Sequence, residues 1–276
     1  MLKAEPWLAE VLNRSILLTG APRSGTTLLG NLLHSCEGVE YLFEPKVVLP
    51  LLALMDSMCG HGTDDEANWR VLFETTLVAE ALMDRVAGRA INLNPHDDSY
   101  FGRAKGSEEF GERLGHSWSA AECQQVCELG TADSEPRTLV WKSPEAGMWV
   151  KDLRRLYPGM RVVAIWRTEE DVVRSMVAKG WFAGGKEARW FHQEDGTPFW
   201  WHRRLGIGLE RFWSDLDEVE RASTLWSSIL GAVRARVYII FYEHLCLAPQ
   251  EVFASLTAFL GLEPGPMTAG LLEEVR

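Results

Sequence analysis

The segment from Ser15 to Gly20 (SILLTG) has the continuous apolar character of a strand buried on both faces, and it runs straight into a glycine-rich turn. Leucines at helical spacing resume in Thr27–Ser35 (TLLGNLLHS). Strand, tight turn and helix in that order are the opening of a parallel βαβ unit. The alternation recurs in Val39–Phe43 (VEYLF), Thr138–Lys142 (TLVWK), Arg161–Trp166 (RVVAIW) and Val237–Tyr242 (VYIIFY). Helices are predicted over about 68–88 (flanked by the polar loop GHGTDDE), 120–129, 145–157 and 249–260. Another is predicted from Thr168, where Thr168-Glu169-Glu170-Asp171 reads as a capping box. The fold class expected is α/β: a P-loop-type central parallel β-sheet flanked by helices. With 276 residues and no repeat or linker, the chain is expected to form one domain over residues 1–276.

The net charge of −11 argues against a nucleic-acid partner, which would need a broad basic face. An anionic ligand must instead be held by a local cluster of positive groups. No stretch reaches the length a membrane span requires, and MLKAEPWLAEVLNRSILLTG has no apolar signal region, so a cytoplasmic protein is expected. Five cysteines with no framework spacing suggest free thiols and no metal site.

The turn Gly20-Ala21-Pro22-Arg23-Ser24-Gly25-Thr26-Thr27 is a candidate anion cradle. Its glycines allow successive N–H groups to converge, the helix N-terminus adds a favourable dipole, and both threonines can donate hydroxyl hydrogen bonds. It departs from the Walker A pattern, since Thr26 stands where that motif has lysine and the cation comes earlier, at Arg23. No strand ends in an aspartate suited to magnesium. A P-loop nucleotide-dependent kinase is thereby disfavoured, though it remains the alternative enzyme class. The bland alternative is an ordinary strand-to-helix turn. A second candidate site pairs Arg167, at the tip of a strand, with Ser175, two turns into the next helix.

Taken together these segments resemble the PAPS-dependent sulfotransferases, particularly the carbohydrate-type and bacterial members. PRSGTTLL is similar to the family's 5′-phosphosulfate loop, and VVAIWRTEEDVVRSM to its 3′-phosphate motif. VEYLFEP, WKSPE and IIFYEHLCLAPQEVFASLTAFLGLE resemble three further family segments. The chain departs from the family where Thr168-Glu169-Glu170 replaces Asp-Pro-Arg, which removes one arginine.

The resemblance implies a donor, 3′-phosphoadenosine 5′-phosphosulfate (PAPS), with the bisphosphate PAP as product, and in-line displacement at sulfur by an acceptor hydroxyl without a metal. It assigns the 5′-phosphate to Arg23, Ser24, Gly25, Thr26 and Thr27, and the 3′-phosphate to Arg167 and Ser175. Arg23 and Lys142 are expected to stabilise charge during transfer, and Glu44 to act as general base, with His192 and His202 in reserve. A salt bridge from Glu44 to Lys46 or Arg23 is the competing expectation. Trp181, Phe182, Trp190, Phe191, Phe199, Trp200 and Trp201 lie in a glycine-interrupted stretch read as an aromatic-lined lid in a helical and loop insertion on the acceptor side, with ordinary core packing as the alternative for more than half of them. The acceptor is expected to be a saccharide or a saccharide-bearing small molecule. A catalytically degenerate nucleotide-binding protein is the non-enzymatic alternative.

Overall fold

The computed structural model describes residues 6–45, 47–58, 63–86, 138–182, 215–233 and 237–275. The strands β1 (Ile16–Thr19), β2 (Val39–Phe43), β3 (Thr138–Lys142), β4 (Arg161–Trp166) and β5 (Tyr238–Phe241) form one sheet in the order β2-β3-β1-β4-β5. Every pairing is parallel. This is the α/β architecture expected from the sequence, with β1, the strand feeding the glycine-rich turn, at the centre.

Parallel strands need helical crossovers, which cover both faces of the sheet and explain why β1 is buried at all four positions. Alternation sends Leu17, Trp141, Val162 and Ala164 to one core. That core is completed by α1 (Pro6–Arg14), α3 (Val48–Met58), α4 (Thr63–Val86), α5 (Val150–Leu156), α6 (Glu169–Ala178) and α7 (Glu218–Val233). Ile16, Leu18, Val140, Val163 and Ile165 face the other core. There α2 (Thr26–His34), α8 (Tyr242–Leu247), α9 (Pro249–Leu260) and α10 (Thr268–Glu273) supply Leu29, Leu33, Leu245, Phe253 and Leu272. Each fully buried leucine of α2 is worth about 1.5–3 kcal/mol relative to exposure, so packing of this stripe, not propensity, holds the helix against the sheet.

Four local expectations change. The helix foreseen from residue 68 begins at Thr63, so part of the polar loop GHGTDDE is its first turn, and α3 precedes it. The helix foreseen over 145–157 opens as a 3₁₀ turn, Glu145–Trp149, before becoming α5. Tyr242 leaves the strand pattern and begins α8. At Thr168 the helix starts where the capping box placed it, but the box itself is absent: Thr168 Oγ1 donates to Asp171 Oδ2 at 3.1 Å. The free Thr168 N–H donates instead to Glu243 Oε1 at 2.9 Å, so a carboxylate from α8 does the capping from across the sheet edge. The helix foreseen at 120–129 lies outside the described residues. No helix among the described residues is long and apolar enough to cross a membrane.

Candidate active site

All five strands point the same way, so their carboxyl ends form one edge, the place where open α/β sheets bind ligands. The turn between β1 and α2 sits at the middle of that edge. Gly20 has φ 141, and a Cβ there would lie 2.3 Å from the Ile165 carbonyl oxygen, so the turn passes too close to β4 for any side chain. Gly25, the N-cap of α2, has φ 96 and is backed by the Tyr242 ring. The first intrahelical bond runs from Leu29 N to Gly25 O at 3.0 Å, which leaves the preceding N–H groups of Thr26, Thr27 and Leu28 directed out of the helix end. Ser24 is fully buried and its Oγ has no hydrogen-bond partner among the described residues, an orphaned donor inside the cradle.

Arg23 adopts φ 71, a left-handed conformation that costs a residue with a Cβ about 1 kcal/mol or more. The turn thereby aims the guanidinium sideways, and Nε donates to Ser175 Oγ at 3.0 Å. Arg167, one residue beyond β4, closes on the same spot from the other side: Nη1 donates to the Arg23 carbonyl at 3.5 Å. Its guanidinium lies 4.5 Å from the centre of the Tyr242 ring, with Nη2 3.7 Å from Asp171 Oδ2. The Arg167 Nε is buried without a partner among the described residues. The two anion sites inferred separately are therefore adjacent, with Arg23, Ser175 and Arg167 forming one cationic face. Glu170, where the resembled motif carries an arginine, is exposed and ion-paired with Arg174.

A cavity of about 450 Å³ opens beside Arg167, walled by Trp166, Trp226, Leu230 and Phe241 and also lined by Glu169 and Glu243. Trp226 Nε1 donates to the Arg167 carbonyl at 3.1 Å and so ties α7 to the site. Neither this aromatic wall nor Tyr242 was singled out from sequence. The four residues lie on β4, α7, β5 and α8, and only the sheet order brings them together.

On the other flank, Lys142 ends β3 and is 1% exposed. Its Nζ donates to Thr27 Oγ1 at 3.0 Å and to Glu44 Oε1 at 2.5 Å, and it lies 4.0 Å from the centre of the Phe43 ring. Burial depresses the Lys142 ammonium below the usual lysine range, against the opposing pull of Glu44. Glu44 has φ 44 and its N–H bonds the Lys142 carbonyl at 2.9 Å, so the backbone bends its side chain back over the lysine. Its side chain is 46% exposed, leaving the carboxylate reachable from outside. Among the described residues Glu44 forms an ion pair with Lys142, and not with Arg23, one of the two partners considered above; Lys46, the other, lies outside the described residues. Glu145, three residues beyond Lys142, was not singled out. Burial and the nearby Glu44 charge push its carboxyl up to about 7.

Of the aromatic stretch, Phe182 is a fully buried core residue and Trp181 packs against that core. Trp190, Phe191, Phe199, Trp200 and Trp201, with His192 and His202, lie outside the described residues. Among the described residues no group of carboxylates, cysteines and histidines is placed to hold a metal ion.

Solved structures similar to this chain include a sulfotransferase domain from the curacin biosynthetic pathway, 17% identical, with 92% of this chain and 76% of that one aligned and a TM-score of 0.45. A sulfotransferase from Alicyclobacillus acidocaldarius is 12% identical over 94% of this chain and 88% of that one, with a TM-score of 0.46. One from Mycobacterium avium is 14% identical over 98% and 69%, with a TM-score of 0.44. No curated protein matches the sequence. The model of the sulfotransferase family matches residues 15–266, a span that contains all five strands, and the chain belongs to that family of sulfuryl-transferring enzymes.

Proposed function

We propose that this protein transfers the sulfuryl group of PAPS to a hydroxyl of a saccharide or saccharide-bearing small molecule. The observation that carries the reading is the junction of the two anion sites: Arg23 reaches Ser175, and Arg167 reaches the Arg23 backbone. One doubly phosphorylated nucleotide can be gripped there at both ends, the 5′-phosphate on the amides of Ser24 to Thr27 and the 3′-phosphate on Arg167 and Ser175. The neighbouring aromatic cavity is the natural seat for the nucleoside's flat base. The saccharide assignment is supported by the resemblance of VEYLFEP to a carbohydrate-sulfotransferase strand.

In this mechanism the acceptor oxygen attacks sulfur as the bond from sulfur to the 5′-phosphate oxygen breaks, and the bonding pair leaves with PAP. The hydroxyl proton passes to the Glu44 carboxylate. Negative charge growing on the leaving phosphate meets Arg23, the helix N–H groups and the hydroxyls of Thr26 and Thr27, all fixed before reaction. Lys142 holds Thr27 and Glu44 at once, so the ammonium that sets the base in place also adds positive charge beside the leaving group.

Thermal-shift titration with PAP, ATP and ATP plus magnesium tests the reading, with preference for PAP expected. Preference for ATP and magnesium would support a kinase instead. A labelled-PAPS screen over sugars, phenols and glycolipids then identifies the acceptor; binding of PAP with no transfer to any of them would leave a degenerate binding protein. With the acceptor in hand, Glu44→Gln is expected to abolish transfer while leaving PAP affinity nearly intact, and undiminished turnover would remove Glu44 as base.

A further inference from the structure

The cavity of about 450 Å³ beside Arg167 is walled by rings, yet two carboxylates, Glu169 and Glu243, also line it. Trp166 and Phe241 meet edge to face with ring centres 6.0 Å apart, and Phe241 is left 45% exposed, a large apolar surface open to solvent beside the cavity. Trp226 is fixed by its bond to the Arg167 carbonyl. The two carboxylates are held differently. Glu169 is exposed, and its Oε1 accepts from the Ser223 hydroxyl. Glu243, in the first turn of α8, is half-buried, and its Oε1 accepts the Thr168 N–H at 2.9 Å. Its Oε2 has no hydrogen bond among the described residues. A carboxylate pinned by one oxygen presents the other in a set direction, and that oxygen can only accept. Thr168 follows Arg167 directly, so the anchored carboxylate stands beside the arginine assigned to the 3′-phosphate.

We propose that Glu243 is a specificity residue for the donor's base: Oε2 accepts a hydrogen bond from the exocyclic amino group of adenine and so selects it against a 6-oxo purine. The inference rests on the donor reading above and on the cavity holding the base. Aromatic walls stack any purine, because every base has a π-face, so stacking does not tell one purine from another. The ring edge does. Adenine carries an amino group at position 6, where hypoxanthine carries a carbonyl oxygen. Set against Glu243, the amino group supplies the proton that the carboxylate lacks, whereas the carbonyl places acceptor against acceptor. Glu169 is the weaker reader, since a bond to an exposed carboxylate competes with water.

The test is calorimetric titration of the whole chain with PAP and with inosine 3′,5′-bisphosphate, its 6-oxo counterpart. Wild type should prefer PAP by about tenfold or more, the worth of one hydrogen bond to a charged group. Glu243→Gln keeps an oxygen for the Thr168 N–H and puts an amide NH₂ in place of Oε2, so the preference should shrink by about tenfold or more, with inosine bisphosphate binding more tightly than before. Glu169→Gln should keep the wild-type preference. Phe241→Ala should weaken both nucleotides by a similar factor, because it removes only stacking surface. Equal affinity of wild type for the two bisphosphates, an unchanged preference in Glu243→Gln, loss of preference in Glu169→Gln instead, or no effect of Phe241→Ala on either nucleotide would overturn the proposal. In each of those cases PAP still binds and the donor reading stands. Failure of wild type to bind either bisphosphate would remove the donor reading itself, and the role of Glu243 with it.

Discussion

Gly25→Ala tests whether the proposed donor loop is shaped by the ring behind it. At φ 96 the new methyl would lie 2.5 Å from Tyr242 Cδ2 and 2.9 Å from Cε2. Carbon atoms rest about 3.5–4.0 Å apart, so the ring must retreat by roughly 1 Å. Two costs arise: about 1–2 kcal/mol for a left-handed conformation with a Cβ, and about 1–3 kcal/mol for overpacking against Tyr242. The sum is about 2–5 kcal/mol. Tyr242→Ala removes the obstacle while leaving the backbone conformation, so Gly25→Ala in that background should cost only about 1–2 kcal/mol. Urea unfolding of the four proteins of this cycle reads the difference, and the expected coupling is about 1–3 kcal/mol. Calorimetric titration with PAP should show affinity falling in Gly25→Ala as well, because the retreating ring also carries Arg167. An identical stability loss in both backgrounds would refute the argument that Tyr242 is what excludes a side chain from this turn.

Two further outcomes follow from single contacts. Arg167→Lys keeps the charge but loses the flat face stacked on Tyr242 and the forked donors, so PAP should bind about tenfold more weakly or worse; equal affinity by calorimetry would contradict the assigned role. Thr19→Val preserves shape but strips the Pro144 carbonyl of its buried donor, so urea unfolding should report a loss of about 1–3 kcal/mol. An unshifted midpoint would show that this contact does not brace the turn after β3.

The strands were legible because a parallel sheet covered on both faces makes each strand a short apolar run, as in ILLT and RVVAIW. The residues proposed to bind the donor could be picked out for a different reason: Arg23 to Thr27 are contiguous, and Arg167 and Ser175 share one strand-helix junction. The pairing of Glu44 with Lys142 could not, since the two are separated by 98 positions and only the β2-β3 register, Phe43 opposite Lys142, makes them neighbours. Tyr242 was read as the end of a strand because it continues the apolar run VYIIFY, yet the chain turns there into α8. The helix α3 escaped notice because Pro50 falls in its first turn; proline is tolerated there, where its missing N–H would have had no partner. The cap at Thr168 was half legible. The residue type marked the helix start, but the acceptor of its N–H comes from Glu243, 75 positions later.

Leu18 of β1 lies directly opposite Lys142 of β3, in unbroken parallel pairing. The loop proposed to hold the leaving group follows β1 and Glu44, the proposed proton acceptor, follows β2, so they spring from two strands of one ladder with β3 and its Lys142 between them, about 10 Å apart. Such a ladder has no hinge. On the proposed reading, substrate entry and product exit fall to parts of the chain that lie off the sheet, while the spacing between nucleofuge and base stays constant from one catalytic cycle to the next.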